Sequence, residues 1–245
     1  MNLIAIAGRA VLDTLLPPNC LACDAPVDAD GQFCLTCFRA ANFISSPFCA
    51  QCGVPLPFGD ATGFCTACAH APPLFHAARA ALRYDALTKR LILPFKYADR
   101  TEFARGIAVL MARAGAALLA SADVLVPVPL HQARLRQRGY NQSVLLGAEL
   151  ARRTGVPLLR DALARVKPTA PLGGLGLEAR QAALTGAIIM RPGRDVEINH
   201  KNLLLIDDVM TSGATANACA VALLNAGAAR VDVLTAARVA DPRYE

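Results

Sequence analysis

The chain has 245 residues, of which 54% are hydrophobic and 18% charged, a composition that supports a packed core and excludes general disorder. The formal charge of +6 is unevenly spread, with −3 on residues 1–75 and +9 on residues 76–245. The longest apolar stretch, Ile107 to Val126, is broken by Arg113 and Asp123, and Arg9 and Asp13 break the apolar start; a cytoplasmic protein without membrane insertion is expected.

Residues 1–16 place Leu3, Ile4, Ala7, Val11, Leu12 and Leu15 at helical spacing and stop at Pro17-Pro18, predicting a short amphipathic helix. Residues 17–73 are rich in Cys, Pro, Gly and Asp and show no helical period. A segment of this size cannot bury enough apolar surface to fold unaided. It holds eight of the nine cysteines, as the pairs Cys20/Cys23, Cys34/Cys37, Cys49/Cys52 and Cys65/Cys68. A CxxC turn aims two thiolates at one point, so two such turns complete a tetrahedral zinc shell.

Gaps of ten and twelve residues within the two sets leave room for short hairpins, predicting two successive zinc ribbons with ligands 20/23/34/37 and 49/52/65/68. An interleaved pairing satisfies the same spacing. Four regularly spaced pairs favour structural metal over redox chemistry. Each ribbon is expected to unfold alone when its ligands are lost, leaving the rest intact. Being acidic, the ribbons should dock on the basic remainder of the chain or on another protein. Cys219 lies in a helical stretch and reads as a small core residue.

Ala71-Pro72-Pro73 marks a boundary, and residues 74–245 form the larger domain. Strands are predicted at Ala78–Tyr84, Val124–Val128, Asn202–Asp207 and Val231–Ala237, with a weak one near Pro157–Leu159. Helices are predicted at Ala86–Tyr97, Glu102–Ala120, Gln142–Thr154 and Ala214–Ala226. Short apolar strands alternating with helices imply an α/β fold, a parallel sheet with helices on both faces. Residues 165–185 turn Gly-rich and aperiodic, as a mobile loop would.

In the run Leu203 to Thr215, a buried strand delivers Asp207 and Asp208 to its C-terminal edge, where ligands bind in open α/β sheets. Thr211, Ser212, Gly213, Ala214 and Thr215 then lead into a helix, so backbone N–H groups and the Thr and Ser hydroxyls suit a phosphate monoester. Carboxylates that accept from vicinal hydroxyls, beside a phosphate site, describe a ribose 5-phosphate. No Lys follows Gly213, which excludes a Walker loop.

This stretch resembles the diphosphoribosyl-binding motif of type I phosphoribosyltransferases. From about residue 10 to 238 the chain is similar to the ComF (ComFC) family, on the cysteines, the phosphate loop, Lys96-Tyr97, Val126-Pro-Val-Pro-Leu130 and Arg138-Gly-Tyr-Asn-Gln142. The resemblance implies that Asp207 and Asp208 hold ribose hydroxyls and Thr211–Thr215 the 5-phosphate. Pro127, Val128, Pro129 and Arg138 would meet the pyrophosphate, and Gly173–Ala183 would cover the site. It implies phosphoribosyl diphosphate as ligand, with Mg²⁺ arriving on the diphosphate oxygens.

Leu172 and Ala183 stand where the family pattern has Gln and Asn, and Thr211 stands where 6-oxopurine transferases carry an Asp base. The second departure argues against hypoxanthine or guanine as acceptor. His131, Arg134, Arg136 and Arg138 form a basic patch; Arg134 and Arg138 share a face if helical. The patch suits a diphosphate, single-stranded DNA or plain solvent. Transfer of phosphoribose to a nitrogen nucleophile, DNA binding in uptake alongside competence-system proteins, and sensing of phosphoribosyl diphosphate without chemistry are the functions in competition. No catalytic residue is singled out.

Overall fold

The structure is a computed structural model, and it describes residues 18–29, 31–57, 63–167 and 186–240. The helix expected at 1–16 and the covering segment 173–183, with Leu172, lie outside these residues. Four parallel strands, β1 (Ala78–Arg83), β2 (Val124–Pro127), β5 (Asn202–Met210) and β6 (Arg230–Arg238), form one sheet in the order β1-β6-β5-β2. The weak strand near 157–159 is reduced to one parallel bridge, Leu158 beside Leu125, with two backbone hydrogen bonds that extend the β2 edge. The opposite edge is covered by the chain leaving the first ribbon: Ile44 N donates to Ala81 O and Arg83 N donates to Asn42 O.

Strand alternation sends successive residues of β2, β5 and β6 to opposite faces. On one face Leu125, Leu204, Ile206 and Leu234 pack against α3 (Ala86–Tyr97), α4 (Phe103–Ala114) and α7 (Gln142–Thr154). Leu91, Phe95, Ile107, Met111, Leu146 and Leu150 supply the helical side. On the other, Val124, Val126, Leu203, Leu205 and Val233 meet α9 (Ala214–Asn225) through Cys219, Ala220 and Leu223. Cys219 is fully buried there, as its place in a helical run predicts. The parallel sheet with helices on both faces is the expected fold class.

The long helix expected at 102–120 divides at Gly115 into α4 and α5 (Ala116–Ser121). Strand β5 runs three residues past Asp207, because Val209 and Met210 keep pairing with Ala237 and Arg238 of β6. A small antiparallel hairpin, β3 (Leu163–Arg165) with β4 (Ile188–Met190), was not legible as alternation in so few residues. Short helices α1 (Leu35–Ala40), α2 (Thr66–His70), α6 (Gln132–Arg138) and α8 (Asp195–Ile198) complete the described elements.

The two cysteine sets differ in placement. Cys49, Cys52, Cys65 and Cys68 are all buried and belong to the same core as α9 and the sheet. In the first set Cys20 and Cys37 are buried, Cys34 is half-buried and Cys23 is exposed. That ribbon touches the domain through a close approach of Gly31 to Gly106 of α4 and through Leu21. The second ribbon thus does not stand apart from the sheet; its cysteines share the layer beside α9. Among the described residues no helix is long and apolar enough to cross a membrane.

Candidate functional site

The cysteine sites are settled first by geometry. The sulfurs of Cys20, Cys23, Cys34 and Cys37 lie within 4.8 Å of one another, as do those of Cys49, Cys52, Cys65 and Cys68, so the pairing is sequential and not interleaved. Four sulfurs at such distances fit tetrahedral zinc. Backbone N–H groups approach the sulfurs as they would thiolates: Cys34 N to Cys20 Sγ at 3.2 Å, and Cys37 N to Cys34 Sγ and Cys52 N to Cys49 Sγ at 3.5 Å. Burial works against ionisation of Cys20, but N–H groups of Ala22 and Cys34 bring its thiol down to about 7. The closed four-cysteine shells leave no open position, so their role is to hold the fold.

A second constellation forms at the C-terminal ends of β2 and β5. The chain leaves β2 toward α7 on one face of the sheet and leaves β5 toward α9 on the other, which opens a crevice between the two strands. A cavity of about 270 Å³ lies there. Asp207, Asp208, Thr211 and Thr215 line it from β5 and α9, and Val128 and Pro129 from the turn after β2. Arg134 and Arg138 enter from α6, on the shared helical face that their spacing predicts. Arg136 does not line the cavity, and Pro127 is buried within β2. Ser212, Gly213 and Ala214 line a smaller adjoining space of about 40 Å³, together with Asp207, Thr211 and Thr215.

Several lining residues were not anticipated as site residues. Lys96 Nζ of α3 sits 2.8 Å from Asp208 Oδ1, and Ser143 Oγ of α7 donates to Asp207 Oδ1 at 3.1 Å. Arg165 of β3, Tyr97 and Gln142 also face the cavity. Lys96 falls within the family resemblance, but its partner is an element away; Arg165 gave no signal, because the hairpin that carries it gave none. Four cationic side chains against two carboxylates leave the lining with a formal +2, which suits an anion.

Burial, then the neighbouring Asp208 charge, push the Asp207 carboxyl up to about 7, although Lys96, the Asp208 N–H and Ser143 oppose the shift. Burial alone would lower Lys96; the Asp208 and Asp207 charges outweigh it and hold the ammonium above its usual range. The Arg138-to-Gln142 stretch works mainly as a brace. Asn141 caps α7 by accepting from Ser143 N and ties the turn after β2 by donating to Val128 O at 3.0 Å. Tyr140 OH donates to Phe95 O at 2.6 Å, and Arg138 donates to Gln142 Oε1 and Tyr97 OH, both at 3.1 Å. In the loop between β5 and α9 Gly213 has φ +81°, the left-handed conformation that costs an L side chain about 1–2 kcal/mol. A Cβ there would meet Phe75 carbons at 3.7 Å and Met210 Sδ at 3.9 Å, ordinary contacts, so backbone conformation and not crowding requires glycine.

A family model described as "Double zinc ribbon domain" matches residues 11–69. The chain is 32% identical over 225 residues to the "DNA utilization protein YhgH" of Salmonella typhi, covering 89% of this chain and 96% of the relative. It is 28% identical to "Competence protein F" of Haemophilus influenzae (90% and 96% covered) and 26% identical to "Competence protein ComFC" of Bacillus subtilis (86% and 90%). With near-complete coverage at this identity, and with both four-cysteine sites formed, the chain belongs to the ComF (ComFC) family.

Proposed function

We propose that the crevice between β2 and β5 binds phosphoribosyl diphosphate, with Mg²⁺ carried on the diphosphate oxygens. The observation that carries this reading is the shared cavity: two adjacent carboxylates, Thr211, Thr215, Arg134 and Arg138 face one space, and Ser212, Gly213 and Ala214 line the small space adjoining it. Carboxylates accept from vicinal ribose hydroxyls, loop N–H groups meet the 5-phosphate, and guanidinium groups meet the diphosphate. Lys96 already neutralises Asp208, so the Asp pair is no cage for a bare cation and the metal comes with the ligand. The reaction open to such a ligand is transfer of phosphoribose to a nitrogen nucleophile: the C1–N bond forms as the C1–O bond breaks and diphosphate departs.

A second reading takes single-stranded DNA as the ligand. Relatives named for DNA utilization and competence support it, and so does Tyr97, 69% exposed with the Arg138 guanidinium 4.7 Å from its ring centre. An exposed ring beside cationic groups is a platform for base stacking.

Calorimetry with phosphoribosyl diphosphate and Mg²⁺ separates the two. Asp207→Asn and Asp208→Asn should each weaken binding roughly ten- to a hundredfold. Ribose 5-phosphate should compete in the wild type and fail to do so in either variant. A wild-type protein that ignores both ligands but binds single strands with steep salt dependence, weakened by Arg134→Ala, would replace the first reading by the second.

A further inference from the structure

Two arginines of the sheet flank the second cysteine site. Arg79 of β1 donates to Ala50 O at 3.0 Å and lies over the Phe48 ring at 4.4 Å. Arg238, the last residue of β6, is only 8% exposed and spans two structures. On one side it donates to Cys52 O at 3.3 Å and points Nη2 at Cys52 Sγ, 3.8 Å away. On the other it donates to the carbonyls of Met210, at 3.4 Å, and of Thr211, where the phosphate loop begins. A further bond to Val239 O at 2.9 Å fixes its position.

No carboxylate among the described residues lies within ion-pair distance of Arg238. A buried guanidinium without a counter-charge is strongly destabilising. The anion Arg238 does meet is the metal site, through Cys52 Sγ; four thiolates around one Zn²⁺ carry a net charge of about −2. Phe75, fully buried in the same core as Cys52, Cys65 and Cys68, lies beside Gly213, and with these residues and Arg238 it lines a cavity of about 450 Å³.

We propose that Arg238 couples the second zinc site to the phosphate loop, so that metal retention and loop conformation stand or fall together. The guanidinium can serve Cys52 and the Met210 and Thr211 carbonyls at once only while both keep their present places. Disorder on either side strands a buried charge on the other. By reciprocity, whatever zinc contributes to the loop, a ligand on the loop contributes to zinc retention. This consequence for ligands rests on the phosphoribosyl diphosphate reading above; the coupling itself does not.

The test is zinc release to a chelator from full-length protein loaded at both sites. The phase that survives in Cys23→Ser belongs to Cys49, Cys52, Cys65 and Cys68. Gly213→Ala, which strains the loop without touching the cysteines, should speed that phase at least about fivefold and leave the other unchanged. Arg238→Lys, which keeps the charge but loses the fork, should do the same. A core variant in α7, Leu150→Val, matched in melting temperature, should not. Phosphoribosyl diphosphate with Mg²⁺ should slow the same phase in the wild type. Protein that shows the Gly213 effect but binds no phosphoribosyl diphosphate supports the coupling and removes only the ligand reading. An unchanged second phase in Gly213→Ala overturns the coupling; phosphoribosyl diphosphate that binds without slowing that phase overturns only its consequence for ligands.

Discussion

Asp207 and Asp208 are adjacent in sequence but differ in chemistry, because each meets a different neighbour. Asp208 faces Lys96, whereas Asp207 faces a hydroxyl and keeps one side toward the cavity. The folded protein holds the Asp207 proton to about pH 7, well above the ordinary 3.8 of a free carboxyl. The folded state therefore binds more protons, and the stability this group contributes is full below about pH 3.8 and is lost as pH rises through about 7. Asp207→Asn mimics the protonated form. Without ligand it should match the wild type near pH 4 and be more stable by on the order of 2 kcal/mol at pH 8. Thermal melts across that range check the sign, and a gap that does not depend on pH would remove the explanation. Lys96→Met should cost about 3–5 kcal/mol by leaving Asp208 buried and unpaired. Adding Asp208→Asn to that variant should recover most of the loss in a denaturant titration; failure to recover would mean that Lys96 acts through packing.

Among the elements, α4 gives the sharpest conflict between local propensity and tertiary contact. Gly106 lies in its interior, where replacement by Ala should gain about 1 kcal/mol on helix propensity alone. A Cβ at that position would, however, lie 2.4 Å from the Gly31 Cα and 2.9 Å from the Leu21 methyls. Backbone of the first ribbon cannot yield as a flexible side chain can. Gly106→Ala should therefore lower the melting temperature and expose the first ribbon to protease, while the sheet keeps its circular dichroism. A stabilised variant would show that propensity wins and that the close approach relaxes. The long helix read from 102 to 120 and the unread β3–β4 hairpin fail for related reasons. Period-based reading registers neither the break at Gly115 nor a three-residue strand whose partner lies over twenty residues away.

Taken as a whole, the molecule uses its two zinc ribbons differently. The second set of cysteines lies in one core with Val124, Leu203 and Cys219, in the layer beside α9. The first is peripheral, with Cys23 exposed to solvent. Cys65→Ser should accordingly destabilise the sheet as well as the ribbon, by several kcal/mol, since it opens the core and a metal shell together. Cys23→Ser should release one zinc and leave the melting transition of the sheet almost unchanged. Metal content and calorimetric melts of both variants decide this, and equal effects would mean that the two ribbons are equivalent.

Sequence by itself determined the cysteine chemistry, the parallel α/β class and the Asp207–Thr215 stretch as a unit. These rest on local spacing: two residues between paired thiols, apolar runs the length of a buried strand, and a strand-to-helix loop of small residues. Ser143, Arg165 and the partnership of Lys96 with Asp208 were decided only by the tertiary structure, because they come from α7, β3 and α3 and meet at one crevice through sheet order. The same holds for the pairing of the knuckles, which spacing left open, and for the burial of the second ribbon. The acidic balance of residues 1–75 predicted a basic neighbour, but it could not specify that Arg100 meets Asp24 of the first ribbon or that Arg79 and Arg238 of the sheet reach Ala50 O and Cys52 of the second, because tertiary packing alone brings these residues together.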